Sequence, residues 1–469
     1  MTHHGLDSTV ASADEKRSLA SHILPGIKQA LAGNSTCRAF AGRILNLYVL
    51  FMGDTYMPRK MFSLTTGVLT LAAMLVFSAS LARAVDKETI LHTFIFGSGD
   101  GVTPFAGLVA DTAGNFYGTT AAGGSFNGGT VFELSPITGG SWTETVLFSF
   151  PAGTYPESPL IFDAAGNLYG TTLWGGAYGG GAVVELSPLP AGGWAEANIY
   201  SFNGYLKGEV NPYGGVMFDS TGNLYGVTGG GIYNFGTAYR LSKSNGTWTE
   251  TAVYNFLDGF PYGTLILDAA GNLYGATIIG GGENAGTVFQ LNYSSGTLWE
   301  NTIYTFTGGN DGANPRAGLT IDASGNLYGT TNLGGAYGNG VVFKLSPTAH
   351  SGWHQGVLHA FAGGNDGANP QAAMIFDDSG NLYGTAAMGG AHGHGTVFKL
   401  THGSKGGWIE GTLHSFTGGA DGSGPLTSLT MDAAGNLYGT TGWGGNTAYC
   451  SSSGCGVVFE LSPVTANIQ

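Results

Sequence analysis

Acidic side chains recur in glycine-rich segments of this sequence, at a spacing that could place them on equivalent loops. The pattern Asp-Gly-x-x-Pro occurs four times, with its aspartates at Asp100, Asp311, Asp366 and Asp421. A ring of such carboxylates could bind Ca²⁺ or the hydroxyl groups of a sugar. The alternative is turn chemistry, in which Asp caps backbone N–H groups and Pro prepares the following strand. The pattern lacks the dense carboxylate spacing of a dedicated calcium loop, and no other cofactor is predicted.

Aromatic and histidine side chains flank the Gly-Gly pairs of another set of loops. Aromatic rings beside Asn and Asp suit stacking on sugar rings, although they could also simply fill the mouth of the fold. His392 and His394 could bind a metal as a pair, but no nearby acid or Cys completes a site. The candidates for a ligand-binding face are Trp174, Tyr178, Tyr337, His392 and Trp443, with Phe126 and Tyr233 at related positions.

Nucleophilic catalysis has no signature here, because no Ser lies in a Gly-x-Ser-x-Gly pattern with plausible His and Asp partners. His92, His359 and His414 occupy a position that other parts of the chain give to Phe or Tyr. We therefore interpret them as packing residues and predict no catalytic residue.

These residues belong to a segment that is repeated seven times. The repeated motif is Asp-x-x-Gly-Asn-(Leu/Phe)-Tyr-Gly, and its copies begin 49 to 56 residues apart. A period near 50 is typical of β-propeller blades. The aspartates that open the motif are Asp111, Asp163, Asp219, Asp268, Asp322, Asp377 and Asp432.

Each repeat contains four strand-like pieces, which we name a to d in chain order. They are rich in β-branched and aromatic residues and are bounded by Gly, Pro and Asn. The Asp-x-x-Gly-Asn turn joins a to b, and we expect its Asp to act as a cap. A Gly within strand b should let crowded backbones approach closely. The d-to-a and b-to-c loops should share one face of the molecule.

The closure of the ring is predicted by the count of d strands. Six d strands begin near a Trp, yet there are seven a-b-c sets. The missing strand matches Glu88–Phe94, which precedes the first repeat. We therefore predict an all-β, seven-bladed β-propeller of four-stranded blades, closed by the N-terminal strand completing the last blade.

The N-terminal part of the chain differs from the repeats. Residues 57–84 contain a basic start, an apolar run and an Ala-Arg-Ala site, which predicts a secretory signal peptide, with a retained membrane anchor as the alternative. Residues 1–56 form an unassigned extension, so translation is expected to begin at Met57 or Met61. The propeller is predicted to occupy residues 86–465.

Charge excludes one class of partner. Residues 1–84 hold eight of the 16 basic and four of the 30 acidic residues, so the remainder, with 8 basic and 26 acidic residues, has a net charge of −18. Such a domain is repelled by phosphate backbones, and nucleic-acid binding is not expected. We expect a monomer that has no stable membrane span once the signal is removed.

Cys450 and Cys455 lie in one loop of the last repeat. In an exported protein, two cysteines at this spacing predict a disulfide. A metal site is the weaker alternative, because further ligands are missing.

The repeats resemble those of the GloVer-type (Gloeo/Verruco) tandem-repeat proteins, which are exported bacterial proteins. The resemblance rests on Asp-Ala-Ala-Gly-Asn-Leu-Tyr-Gly-Thr-Thr at 432–441 and Val-Val-Phe-Glu-Leu-Ser-Pro at 457–463, and it covers residues 88–465. It implies export and brings no established activity. The chain lacks the C-terminal anchor that such proteins often carry, which favours secretion or periplasmic residence over wall anchoring.

The sequence thus leaves three functions open. We favour a secreted, non-catalytic module that binds glycans or protein partners at the cell surface or in the periplasm. The alternatives are an extracellular enzyme, a lyase or hydrolase of polysaccharide or small molecules on a propeller scaffold, and an architectural surface protein.

Overall fold

The computed structural model describes residues 87–463 apart from 205–207, 295–296, 350–351, 405, 449 and 451–452. Within this part the chain forms thirty β-strands, which build seven antiparallel four-stranded sheets and one two-stranded sheet. The predicted extension, residues 1–56, and the predicted signal, residues 57–84, lie outside the described residues. The seven large sheets are the blades of a β-propeller, as the sequence predicted.

Each blade has the sheet order a-b-c-d. In that order, blade 1 comprises β3 (Val109–Ala110), β4 (Phe116–Thr120), β6 (Thr130–Ile137) and β7 (Ser141–Ser149); blade 2, β8 (Ile161–Phe162), β9 (Leu168–Thr172), β10 (Ala182–Pro188) and β11 (Trp194–Ser201); blade 3, β12 (Met217–Phe218), β13 (Leu224–Thr228), β14 (Thr237–Ser244) and β15 (Thr247–Asn255); blade 4, β16 (Pro261–Leu267), β17 (Leu273–Thr277), β18 (Thr287–Ser294) and β19 (Thr297–Thr305); blade 5, β20 (Thr320–Ile321), β21 (Leu327–Thr331), β22 (Val341–Pro347) and β23 (Trp353–Ala360); blade 6, β24 (Ile375–Phe376), β25 (Leu382–Ala386), β26 (Thr396–His402) and β27 (Trp408–Ser415); and blade 7, β28 (Thr430–Met431), β29 (Leu437–Thr441), β30 (Val457–Ser462) and β1 (Lys87–Thr93). The two-stranded sheet consists of β2 (Gly101–Val102) and β5 (Ala122–Gly123).

The first strand closes the ring as predicted. β1 pairs antiparallel with β30, from Lys87 opposite Ser462 to Thr93 opposite Val457. Phe94, which follows β1, is fully buried, and its ring contacts Phe132 of blade 1 edge-on at 5.3 Å. The N-terminal strand therefore completes blade 7 and also covers the face of blade 1.

The repeated Asp caps the turn between strands a and b. In blade 2 the Asp163 carboxylate accepts hydrogen bonds from the backbone N–H groups of Ala165 (2.8 Å) and Asn167 (2.9 Å), and also from the Asn167 amide and the Tyr169 hydroxyl. Burial alone would raise the pKa of Asp163, but these hydrogen bonds outweigh it and lower the pKa. Gly166 takes a φ of 85°, the left-handed conformation that this turn requires. The predicted capping role is confirmed.

The Gly of strand b makes room for an aromatic ring. A Cβ on Gly118 would lie 2.6 Å from Cζ of Phe132, its cross-strand neighbour on β6. The expectation that this Gly brings two backbones together is therefore wrong, because the space is filled by a side chain of strand c.

The ring of strand c in turn contacts the preceding blade. Six seams between blades hold an edge-on aromatic pair with centroids 4.9 to 5.3 Å apart, and at the seam of blades 1 and 2 Val184 replaces the strand-c ring. Each seam is thus packed by groups from two repeats. The six pairs are Phe94–Phe132, Phe202–Tyr239, Phe256–Phe289, Phe306–Phe343, Phe361–Phe398 and Phe416–Phe459.

The Thr-Thr pair that ends strand b also serves the seams. In blade 2 the hydroxyl of Thr171 donates to the carbonyl of Gly214 in the next blade (2.9 Å), whereas Thr172 donates to the carbonyl of Trp174 in its own b-to-c loop (2.9 Å). Across the closure, Thr440 donates to the carbonyl of Ala106 at 3.1 Å. The repeated motif therefore determines the a-to-b turn, contacts at the seam with the next blade, and the start of the b-to-c loop.

Opening the ring at its closure should destabilise the whole propeller. We expect deletion of residues 86–96 to lower the thermal midpoint sharply and to cause aggregation, because it exposes an edge of β30 and the seam face of blade 1. Leu91→Asp, which puts a charge at a buried position of β1, should act in the same direction. Thermal melting followed by light scattering checks both variants. Lys87→Asp at the exposed start of β1 is the control, and unchanged melting of the deletion would show that the ring closes differently.

Candidate functional site

The two predicted loop classes lie on one face of the propeller. Residues of the d-to-a loops pair with residues of the b-to-c loops of the same blade, and these contacts recur around the ring. The prediction of a shared face is confirmed. The pairs are Gly101 with Gly123, Val210 with Gly230, Ala313 with Leu333, Ala368 with Met388 and Ser423 with Trp443.

The four aspartates predicted to face a ligand lie on the outer rim of this face, beside the d strands. Each has its carboxylate next to a strand-d side chain of the preceding blade. Asp311 accepts a hydrogen bond from the hydroxyl of Tyr304 (3.0 Å). In the other three pairs the partner is imidazole Nε2: His92 with Asp100 (3.0 Å), His359 with Asp366 (3.2 Å) and His414 with Asp421 (3.6 Å).

The same aspartates cap their own loops. Their carboxylates accept the backbone N–H of a residue four or five positions earlier, at 2.6 to 3.0 Å. The turn chemistry weighed from the sequence is therefore present, and a ligand-binding role for these aspartates stays a prediction. The donors are Ile95 for Asp100, Thr307 for Asp311, Ala362 for Asp366 and Thr417 for Asp421.

The three rim histidines pack as expected and also contact acids. Each imidazole lies edge-on against the Phe two residues later, with centroids 4.6 to 4.7 Å apart. Burial lowers the pKa of His414, and the nearby Asp421 only partly opposes this shift. The prediction of a packing role is confirmed, but the aspartate contacts were not foreseen.

A glutamate from the following blade completes two of these groups. Glu144 of blade 1 lies beside His92 and Asp100, and Glu88 of β1 lies beside His414 and Asp421. Burial raises the pKa of Glu144 to about 7, with a further increase from Asp100 and an opposing effect of His92. Burial and then Asp421 likewise raise the pKa of Glu88 to about 7.

The predicted aromatic candidates of the b-to-c loops fall into two groups. Tyr178, Tyr337 and His392 are exposed at the loops, and the Tyr337 side chain is 64% exposed. Trp174 and Trp443 follow strand b, which adjoins the inner strand a, and they are 45% and 37% exposed. His394 places Nδ1 3.0 Å from the Ser423 hydroxyl.

The inner end of this face carries one side chain from the same position of each repeat. A Pro lies before strand a, or at its first residue in blade 4, in all seven blades, and the residue after this Pro varies around the ring. We call these seven residues the axial mouth. In blade order they are Phe105, Glu157, Tyr213, Tyr262, Arg316, Gln371 and Leu426.

The strands that carry the axial mouth crowd together at the centre of the propeller. The backbone N–H of Gly215 in blade 3 donates to the hydroxyl of Thr264 in blade 4 at 3.1 Å. A Cβ on Gly214 would lie 2.1 Å from the carbonyl oxygen of Gly263, so these two backbones touch. Side chains that start from such closely packed strands are brought together across several blades.

Four of these side chains form a polar and aromatic group. The rings of Tyr213 and Tyr262 are stacked, with centroids 5.1 Å apart and an angle of 23° between their planes. Burial raises the pKa of Tyr262, the negative charge of Glu157 adds to the shift, and the positive charge of Arg316 opposes it. Blades 2, 3, 4 and 5 therefore contribute one residue each.

The two charged members of this group, Glu157 and Arg316, are affected by burial. It raises the pKa of the Glu157 carboxyl. Arg316 Nε is buried and has no hydrogen-bond partner among the described residues. Where blades 1 and 7 meet, the Phe105 ring contacts Trp443 edge-on at 5.6 Å. The mouth thus offers a stacked aromatic pair, an acid, a cation and an apolar wall.

The sequence reasoning missed the axial mouth, although a signal was available. The Pro recurs in all seven repeats, whereas the next position changes among aromatic, acidic, basic, amide and aliphatic residues. When one position varies and the rest of the repeat is preserved, the fold does not require a particular residue type at that position. Such positions on a rigid scaffold are where binding residues are found.

The disulfide between Cys450 and Cys455 is present, with their Cα atoms 5.5 Å apart. It closes a short segment in the b-to-c loop of blade 7, the loop that also carries Trp443. In the part of the chain that the structure describes, no helix is long and apolar enough to cross a membrane.

The raised pKa of Glu144 predicts a pH-dependent effect of Glu144→Gln. Because the folded pKa of about 7 exceeds the ordinary 4.5, the carboxyl contributes stability below pH 4.5 that is lost as the pH rises through 7. With EDTA present, Glu144→Gln should raise the free energy of unfolding by about 1–2 kcal/mol at pH 8 and change it little at pH 5. Urea unfolding at both pH values measures this. The exposed Glu283→Gln is the control, and an equal effect at the two pH values would contradict the assignment.

Three solved structures are among those similar to this chain. A protein from Bacteroides fragilis NCTC 9343, provisionally described as a 6-phosphogluconolactonase, is 14% identical with a TM-score of 0.46, covering 70% of this chain and 94% of its own. A protein from Lactobacillus plantarum is 13% identical with a TM-score of 0.45, covering 66% and 84%. A luciferin-regenerating enzyme is 12% identical with a TM-score of 0.38, covering 65% and 91%. No curated protein matches the sequence.

A family model gives a direct assignment. The model described as the Gloeobacter/Verrucomicrobia repeat matches three overlapping segments, residues 75–268, 190–375 and 261–469. Together they extend over all seven blades, and they confirm the resemblance that the repeated motif indicated. The chain is a member of the Gloeobacter/Verrucomicrobia repeat family.

Proposed function

We propose that this propeller is a non-catalytic binding module that takes a carbohydrate at its axial mouth. The observation that carries the proposal is the stacked pair Tyr213–Tyr262 with Glu157 and Arg316 beside it. Aromatic rings provide apolar faces for sugar rings, and a carboxyl and a guanidinium provide hydrogen-bond partners for the hydroxyl groups. Export of the protein to the periplasm, cell surface or medium, proposed from residues 57–84, fits this role.

Apolar side chains around the mouth support binding of a ligand larger than one sugar ring. Trp174, Leu333, Met388 and Trp443 occupy the same register of four b-to-c loops, two residues after strand b, and all are substantially exposed. Exposed apolar side chains gathered in one region of a surface favour a binding site. An oligosaccharide could contact the stacked tyrosines with one unit and the apolar side chains with others.

The proposal is tested by glycan-array screening followed by calorimetry with the best soluble oligosaccharide. Changing Tyr213 and Tyr262 together to Ala should weaken binding by about tenfold or more, because each stacked ring contributes on the order of 1 kcal/mol. Tyr337→Ala, at an exposed ring of the b-to-c loop of blade 5, is the matched control and should bind normally. Equal losses in the two variants, or no glycan bound by the wild-type protein, would refute a carbohydrate site at the mouth.

The same experiment separates binding from turnover. The partly buried Glu157 carboxyl, with its raised pKa, is the acid among the seven residues of the axial mouth, and a general acid needs such a pKa. Hydrolysis of the bound glycan that disappears in Glu157→Gln would assign the enzyme alternative. Binding without product over prolonged incubation supports the non-catalytic module.

A further inference from the structure

A mixed cluster of histidine and carboxylates lies on the outer rim, at the seam of blades 6 and 7. It contains Glu88 from β1, His414 from β27 and Asp421 from the loop that follows β27. His414 Nε2 lies 3.5 Å from Glu88 Oε1 and 3.6 Å from Asp421 Oδ2. These separations are too long for good hydrogen bonds, yet the three groups point toward a common space.

Two buried atoms of the cluster make no hydrogen bond. Glu88 Oε1 and His414 Nε2 have almost no accessible surface and make no hydrogen bond in the described part of the chain. Their side chains are only 18% and 15% exposed. Buried polar atoms normally make hydrogen bonds, so two facing atoms that make none are available to bind a common ligand.

Equivalent seams show how the fold satisfies this glutamate elsewhere. At the seam of blades 3 and 4 the strand-d residue is Tyr254, and its hydroxyl donates directly to Glu300 at 2.8 Å. At the seam of blades 6 and 7 the same register holds His414, whose shorter side chain comes no closer to Glu88 than 3.5 Å. The histidine therefore leaves a gap where tyrosine makes a bond.

We propose that this gap binds one divalent transition-metal ion through Glu88 Oε1, His414 Nε2 and Asp421 Oδ2. Tetrahedral coordination with bonds of about 2.1 Å separates ligand atoms by about 3.4 Å, close to the two measured separations. One imidazole with two carboxylates suits Zn²⁺ better than Ca²⁺, which prefers oxygen ligands only. Because the rim is partly open, water supplies the remaining ligand.

The ion would join the closing strand β1 to strand β27 of blade 6 and the loop that follows it. Glu88 lies on the strand that closes the ring, and the other two ligands belong to the preceding blade. Metal bound only in the folded state stabilises that state, and here it would do so at the point where the ring closes. The site is thus a structural metal site that stabilises the closing strand, and it is separate from the axial mouth.

A neighbouring cluster of the same composition provides the matched control. His92, Asp100 and Glu144 meet at the seam of blades 7 and 1. Here, however, His92 Nε2 is 3.0 Å from Asp100 Oδ2, a direct hydrogen bond that a metal would have to break. We therefore assign the ion to the seam of blades 6 and 7.

The test is Zn²⁺ titration of the full chain by calorimetry, combined with thermal melting in EDTA and in Zn²⁺. We expect one tight equivalent and a rise of several degrees in the melting temperature with zinc. His414→Phe should abolish both, and Phe148 shows that the fold accepts Phe at this register. Glu88→Gln should weaken zinc binding at least tenfold. This second variant tests the site independently if His414→Phe does not fold. His92→Phe should leave binding and the zinc-induced rise unchanged.

Cobalt provides a second measurement of the same ligands. Co²⁺ bound at the cluster should give a visible absorption spectrum that is lost in His414→Phe and retained in His392→Ala. Zinc binding that survives in both His414→Phe and Glu88→Gln, or that is lost in His92→Phe, would overturn the assignment. Melting that responds to pH but not to EDTA or zinc would also overturn it and would leave the cluster as an acid–imidazole pair.

Discussion

The fold depends on the packing of aromatic rings across the seams between blades. In six blades a strand-c ring meets the ring that follows strand d of the preceding blade, as Phe132 does with Phe94 while it also lies over Gly118 of strand b. Such a chain of contacts is satisfied only when the last blade meets the first. Ring closure is therefore a structural requirement, and the pairing of β1 with β30 meets it.

The residues that recur in every repeat pack the seams and form the turns. The positions that vary are therefore those at which the fold does not require one particular residue. The residue after the repeated Pro varies at the centre, and the strand-d residue varies among His, Tyr and Phe at the rim. The first variation gives the axial mouth its stacked tyrosines beside an acid and a cation. The second determines whether a neighbouring glutamate is bonded, as by Tyr254, or left facing a histidine, as at His414.

The architecture was predictable because the same sequence motif recurs along the chain. The Asp-x-x-Gly-Asn motif gave the number of blades, and the surplus strand at Glu88–Phe94 gave the closure, both confirmed. The sites were not predictable in the same way, because their members come from different repeats. Glu157 and Tyr262 lie two blades apart, and Glu88 meets His414 only across the closure, so no local spacing reveals either contact. The strand-b Gly was misread because its neighbour is a cross-strand side chain.

The two sites make different demands on the scaffold. Glu157, Tyr213, Tyr262 and Arg316 belong to blades 2 to 5, on the side of the ring away from the closure. The apolar wall formed by Phe105 and Trp443 joins blades 1 and 7, so its geometry depends directly on the closing strand. A change at β1 therefore acts first on the apolar wall and on global stability, whereas the strands that carry the stacked tyrosines are joined by a contact between blades 3 and 4. The stacked tyrosines and the closing strand thus lie at different seams of the same ring, whereas the apolar wall lies where blades 7 and 1 meet.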